Sequence, residues 1–250
     1  MLIYLIAGIV TFVFTTILTI AGLGAAFILV PVFLALGIGM HPAMATALLL
    51  NAVAMIFASM RYIPAKLVDF KTAVPILIVA TILSPIGAYT SHFLPVPLLK
   101  WLFIAFLLFA ASMMLFFKGR PRQAPSTTKQ QLGYGTGIGG VAGYLGGLLG
   151  VGGGNFIVPV LVWLGFDAKR ASATTAFIVI FASLSGFLGQ ASVGGINLNL
   201  LLWTTAGSIA GAILGAWLMQ KKLHSGQVKM LIGLVLYVIA AQMAWKLLVK

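Results

Sequence analysis

Ten apolar segments follow one another along this chain, at 2–20, 27–36, 43–60, 72–89, 98–117, 132–149, 156–164, 171–189, 198–219 and 228–245. Short polar interruptions separate them. Eight are long enough to cross a hydrocarbon core of about 30 Å at a rise of about 1.5 Å per residue. In lipid every backbone polar group must be satisfied within the protein, so consecutive segments of this kind can fold only as helices packed into a bundle. Glycine and proline inside them are no obstacle, because membrane helices tolerate both. The fold class is therefore all-α integral membrane, a polytopic helical bundle. A mean hydropathy of +1.16, with 7% of residues charged, leaves no room for a soluble alternative. Segments 27–36 and 156–164 are too short to span and read as half-helices or arms of re-entrant hairpins.

The sharpest break in the apolar pattern is Gly150-Val-Gly-Gly-Gly-Asn-Phe-Ile-Val-Pro159. A weaker copy lies earlier, at Gly22-Leu-Gly-Ala-Ala-Phe-Ile-Leu-Val-Pro31. Each glycine in a helix interior costs about 1 kcal/mol relative to alanine, so this run marks a deliberate interruption of the helix. Moving the second half back onto the first aligns Gly22 with Gly150, Gly24 with Gly152, Pro31 with Pro159, Gly37 with Gly165 and Thr46 with Thr174. Matches on punctuation residues indicate an internal duplication. The expected organisation is a first transmembrane repeat at 1–117, a cytoplasmic linker at 118–131 and a second repeat at 132–250.

The basic residues choose the topology. If each broken segment returns to the side from which it entered, one face of the membrane holds Arg61, Lys66, Lys71, Lys118, Arg120, Arg122, Lys129, Lys169, Arg170, Lys221, Lys222 and Lys229. Only Lys100, Lys246 and Lys250 remain on the other. Counting each break as a full crossing gives a much weaker asymmetry, and Lys and Arg concentrate on the cytoplasmic side. Each repeat then has a glycine-broken hairpin plus three full spans, an odd number, so the repeats are inverted. The net charge of +13 follows from the same loops and from contact with anionic lipid, and no basic stripe interleaved with aromatics points to nucleic acid.

Inverted repeats with interrupted helices are a recurrent transporter plan, with substrate bound near the midplane. Half-helices starting at Ala26 and Asn155 would direct unsatisfied N–H groups and a positive dipole end at the break, which suits an anion. Asn155 could cap its helix or donate its amide to a ligand. Pro31 and Pro159 each deprive a carbonyl of its usual partner. Expected substrate-binding residues are Gly22, Gly24, Ala25, Ala26, Thr46, Asn51, Gly152, Gly153, Gly154, Asn155, Thr174 and Thr175, with Ser183 and Ser185 as further polar candidates on the same helix as the last two. Threonine and serine can equally bond back to their own helix. Asn51 is the costliest to bury unpaired. Glycines at four-residue spacing, Gly135 to Gly147 and Gly207 to Gly215, read instead as helix packing.

No acid lies within a span, since Asp69 and Asp167 fall in loops beside basic residues. His41, His92 and His224 all sit at helix ends, so neither a proton relay nor a metal site is expected, and no cofactor. The chain contains no cysteine, which removes thiol chemistry. Catalysis is not expected: Ser185 as an intramembrane nucleophile would lack a base.

Gly150-Val-Gly-Gly-Gly-Asn-Phe-Ile-Val-Pro159, followed by Lys169-Arg-Ala-Ser-Ala-Thr-Thr-Ala176, resembles the sulfite exporter TauE/SafE family. So does the first repeat, through Gly22, Gly24, Pro31 and His41-Pro-Ala-Met-Ala-Thr46, with Ala25-Ala26 departing from the glycines of the pattern. The resemblance implies transport of a small sulfur-containing anion such as sulfite, thiosulfate or an organosulfonate. The expected function is alternating-access transport of that anion across the inner (cytoplasmic) membrane, with the anion and the lipid bilayer as partners. A passive anion channel and a non-transporting membrane scaffold stay open as alternatives.

Overall fold

In the computed structural model, residues 2–22, 24–35, 37–116, 128–191 and 198–248 are described. They form ten helices and no strand. The first five are α1 (Leu2–Ala21), α2 (Ala26–Ala35), α3 (Met40–Tyr62), α4 (Phe70–Ser91) and α5 (Val96–Phe116). The second five are α6 (Thr128–Leu148), α7 (Gly154–Trp163), α8 (Ala168–Ala191), α9 (Leu198–Lys221) and α10 (Ser225–Leu248). The protein is an all-α polytopic membrane protein, and five of these helices are by themselves long and apolar enough to span. Each group of five has its ten-residue helix in second place. The expected linker is shorter than its sequence suggests: 128–131 already belong to α6, because Thr-Lys-Gln-Gln holds no breaker, while 118–127 lie outside the described residues.

α3 and α8 form the centre, with 72% and 67% of their apolar stretches buried against 33% for α4 and for α9. They run antiparallel: His41 meets Gln190, Leu48 lies against Gly186, and Asn51 bonds Ser183. The outer helices are drawn close by glycine. On α9, Gly207, Gly211 and Gly215 rest on the backbone of Gly8, Phe12 and Thr16, so α1 and α9 run parallel. On α6, Gly135, Gly139, Gly143 and Gly147 meet Pro75, Ile76, Ala80 and Ser84 of α4 in the same manner. Without Cβ atoms the backbones approach to direct contact, the packing expected where lipid offers no hydrophobic drive to association. Side chains facing outward, among them Ile78, Ile82, Ile86, Leu188 and Val238, are exposed and apolar, as a lipid-facing surface requires.

α9 also runs parallel to α3, since Ser208 donates to the Leu50 carbonyl and Gln220 to that of Arg61. α1 and α3 therefore point the same way, and the short α2 brings the chain back between them. Two ends of the bundle follow. At one, the Asp69 N–H donates to Thr174 Oγ1 at 3.0 Å, Lys169 Nζ to the Gln220 carbonyl at 3.3 Å, and Gln220 Nε2 to the Arg61 carbonyl at 2.7 Å. This is the cationic end. Asp69 accepts the Lys71 N–H and the Thr72 hydroxyl at the start of α4, and Asp167 the N–H groups of Lys169 and Arg170 at the start of α8, so the chain's two acids both stabilise helix N-termini. The opposite end gathers His41, Ser91, His92 and Gln190.

Candidate functional site

Both glycine breaks are tight turns in which the backbone turns left-handed. Gly24 and Gly152, aligned between the halves, have φ of +75° and +72°. Only glycine takes this conformation without penalty. Gly22 and Gly150, also aligned, share it at +69° each, and Gly153, at +78°, is the N-cap of α7, whereas Ala25, at the aligned place, has no positive φ. Both half-helices nevertheless start at aligned residues, Ala26 and Gly154. The departure from glycine at Ala25 thus leaves the register of the turn unchanged.

The two turns are held by the long central helices in a reciprocal pattern. Gly22 abuts Ser172 of α8, while Gly150 abuts Met44 of α3, and positions 44 and 172 are themselves aligned. Ser172 Oγ donates to the Ala21 carbonyl at 2.9 Å and pins the end of α1. From opposite ends of the bundle the turns then reach one residue. A Cβ on Gly24 would collide with the Asn51 amide oxygen, and a Cβ on Gly152 would lie 2.8 Å from the Asn51 amide nitrogen. Asn51 stands halfway along α3 and is fully buried.

Asn51 Nδ2 donates to Ser183 Oγ at 2.9 Å across the α3–α8 interface. Its Oδ1 has no hydrogen-bond partner among the described residues. The same holds for both polar side-chain atoms of Asn155, on the first turn of α7, and for Thr175 Oγ1. All three residues are fully buried. Polar groups left in this condition cost about 1–3 kcal/mol each, a cost that water or a ligand would relieve. Thr175 belongs to the α8 face that also carries Ser172, Val179 and Ser183, at three- and four-residue spacing. The first N–H groups of α2 and α7 lack intrahelical partners by construction, and Pro159 cannot donate to the Asn155 carbonyl four residues before it.

The structure therefore brings together Gly24, Gly152, Asn51 and Ser183, with Ala25, Ala26, Gly153, Gly154 and Asn155 buried in the turns that surround them. Of the two roles open to Asn155, capping is not used: no side chain caps α7. Two threonines are occupied elsewhere. Thr46 Oγ1 donates to the Pro42 carbonyl of its own helix, and Thr174 accepts from Asp69 at the cationic end. Ser185 donates to the Ala182 carbonyl. Sequence reasoning passed over Ser172, whose signal was its place on the polar α8 face, three residues before Thr175 and seven before Val179.

The profile of the sulfite exporter TauE/SafE family matches residues 6–243. The chain belongs to the sulfite exporter TauE/SafE family. Among its relatives are "Probable membrane transporter protein YunE" of Bacillus subtilis (strain 168), 29% identical over 92% of this chain and 93% of that protein. "Probable membrane transporter protein YdhB" of the same organism is 25% identical over 77% of this chain and 80% of its own length. An archaeal relative, "Probable membrane transporter protein MJ0441" of Methanocaldococcus jannaschii, is 25% identical over 67% of this chain and 64% of its own. No solved structure gives a significant match. As a TauE/SafE protein with several apolar spans, the chain is a multi-pass membrane transporter.

Proposed function

We propose that the protein moves a small sulfur-containing anion, of the sulfite, thiosulfate or organosulfonate type, across the cytoplasmic membrane by alternating access between two inverted repeats, 1–117 and 132–250. The observation that carries this reading is the convergence of both glycine turns on the buried Asn51, whose Oδ1 has no partner among the described residues. Such a centre recognises an anion through uncharged donors. The N–H groups opening α2 and α7 and the amide of Asn155 supply them, aided by the positive ends of two short helix dipoles. Asn51 Oδ1, which has no partner among the described residues, can accept a hydrogen bond from an oxyanion that carries a proton, as a hydrogensulfite does.

The antiparallel run of α3 and α8, aligned helices of the two halves, supports the inverted arrangement. So does the return of α2 toward the histidine end while Asp167, just after α7, lies beside the cationic end. The centre is closed as it stands, since neither Gly24 nor Gly152 has room for a methyl group. The two turns must part for an anion to enter, and parting one at a time exposes the centre to one face at a time.

Purified protein in liposomes tests the proposal, with sulfite, thiosulfate, a short alkanesulfonate and chloride compared for flux and counterflow. Saturable counterflow of a sulfur oxyanion, lost in Asn51→Leu, is the expected result. Flux without saturation or counterflow would make the protein a pore, and no flux of any anion under any gradient would leave the scaffold reading.

A further inference from the structure

At the end of the bundle away from the cations, three helices are joined by a polar cluster. His41 stands in the first turn of α3, His92 directly follows α4, and Gln190 lies in the last turn of α8. The two imidazole rings are 4.1 Å apart between centroids and inclined at 36°. His41 Nδ1 lies 3.3 Å from Gln190 Oε1, Gln190 Nε2 donates to Ser91 Oγ at 3.0 Å, and Ser91 Oγ to the Ala88 carbonyl at 2.6 Å. Gln190 and Ser91 are fully buried. The His92 ring bonds the backbone of Gly189, and its Nε2 is buried without a partner among the described residues.

The position of this cluster gives it meaning. His41, Met44, Leu48 and Asn51 follow one another at helical spacing on a single face of α3. Met44 lies against Gly150 of the second turn and Leu48 against Gly186, so the histidines close the outer end of the row that leads to the candidate site. Charge from neighbouring elements is sparse. α8 contributes the neutral Gln190 and α4 the neutral Ser91, while Lys100 of α5 lines an apolar pocket with Met40. Among the described residues, the titratable side chain against His92 is His41.

Resting on the transporter reading above, we infer that His41 and His92 form a proton-binding site, and that loading it opens this end of the bundle and links anion movement to the proton concentration on that side. Two positively charged rings at this separation would repel, so the closed cluster disfavours a second charge. In the closed form His41 donates to Gln190 from Nδ1, a bond that keeps α3 against α8. Burial, and then the neighbouring His41, hold the His92 ring below the ordinary imidazole range. Closure thus favours the neutral ring, and by linkage a proton taken up at His92 favours the state in which the ring is hydrated. Acidification on this side separates the rings, strains the Gln190 and Gly189 bonds, and admits water toward Met44.

The native chain has no cysteine, so a single Met44→Cys reports on this opening without any substrate. Its labelling by a membrane-impermeant maleimide is compared with that of Pro95→Cys, at an exposed position after α4, which corrects for the thiolate fraction. The relative labelling rate is expected to rise by about tenfold between about pH 7.5 and about pH 5.5, a range that brackets imidazole titration. The rise should vanish in His41→Gln/His92→Gln. A pH-independent rate, or the same rise in the double variant, overturns the inference. Should Met44→Cys fail to fold, Leu48→Cys takes its place. Acid-dependent labelling in a protein that moves no anion would sink the transport reading alone, and saturable flux with pH-independent labelling would sink the gate alone.

Discussion

Asn155 separates a ligand-binding role from a structural one more cleanly than any other residue in the centre. Both of its side-chain polar atoms are buried without partners among the described residues, so Asn155→Leu, of similar volume, removes no hydrogen bond seen there. Thermal unfolding in detergent is expected to be unchanged or raised, by up to about 1 kcal/mol, because a desolvated amide has been replaced by an apolar group. Flux of the sulfur oxyanion should fall at least about tenfold, the loss of one good donor. A loss of stability together with flux would mean that Asn155 only supports the fold. Gly24→Ala is expected to behave in the opposite manner. It forces a Cβ into a backbone at φ +75° and against Asn51, whose amide Ser183 already fixes. A left-handed residue with a Cβ costs about 1–2 kcal/mol before the collision is counted, so this variant should unfold at a clearly lower temperature.

Between elements, glycine acts by position rather than by number, and α6 provides its own control. Gly143 lies on the Ala80 backbone of α4, with a new Cβ only 2.5 Å from Ala80 Cα, whereas nothing lies within 4 Å of Gly137. Gly143→Leu should therefore prise α6 from α4 and abolish folded, monodisperse protein. Gly137→Ala should be tolerated, or gain up to about 1 kcal/mol through helix propensity. Size-exclusion profiles and unfolding midpoints of the two variants decide. This packing could be read in the sequence because four-residue spacing of glycines has few other uses in lipid, and all ten helices could be placed because charges, prolines and glycines bound each apolar run. The polar centre was legible where burial alone sets the cost, as at Asn51. It was not legible for Thr46 and Thr174, whose hydroxyls are claimed by Pro42 and Asp69 through contacts that no helical period encodes. Nor could spacing bring His41 to His92, because they meet only through the packing of α3, α4 and α8.

Over the whole molecule, backbone and side chains obey different symmetries. Aligned glycines share their left-handed turns, and aligned helices make matching contacts, α1 with α9 as α6 with α4. Yet the residue aligned with Asn51 is Val179, and the one aligned with Asn155 is Phe27. A symmetric frame thus encloses an asymmetric candidate site. The frame makes a definite claim about sidedness. Asp69, Thr174, Lys169, Gln220 and Arg61 are tied together at one end, so the loops after α3, α7 and α9 share one end of the bundle. The loop between α4 and α5 lies on the other. Single cysteines at Lys66, Asp167 and Lys222 should be protected from an impermeant reagent in intact cells, and one at Pro95 should be labelled. The decisive position is Asp167. If each glycine break were a full crossing, the Asp167 loop would face the side opposite Lys66, so its labelling together with Pro95 would overturn the hairpin arrangement and the inverted relation of the halves with it.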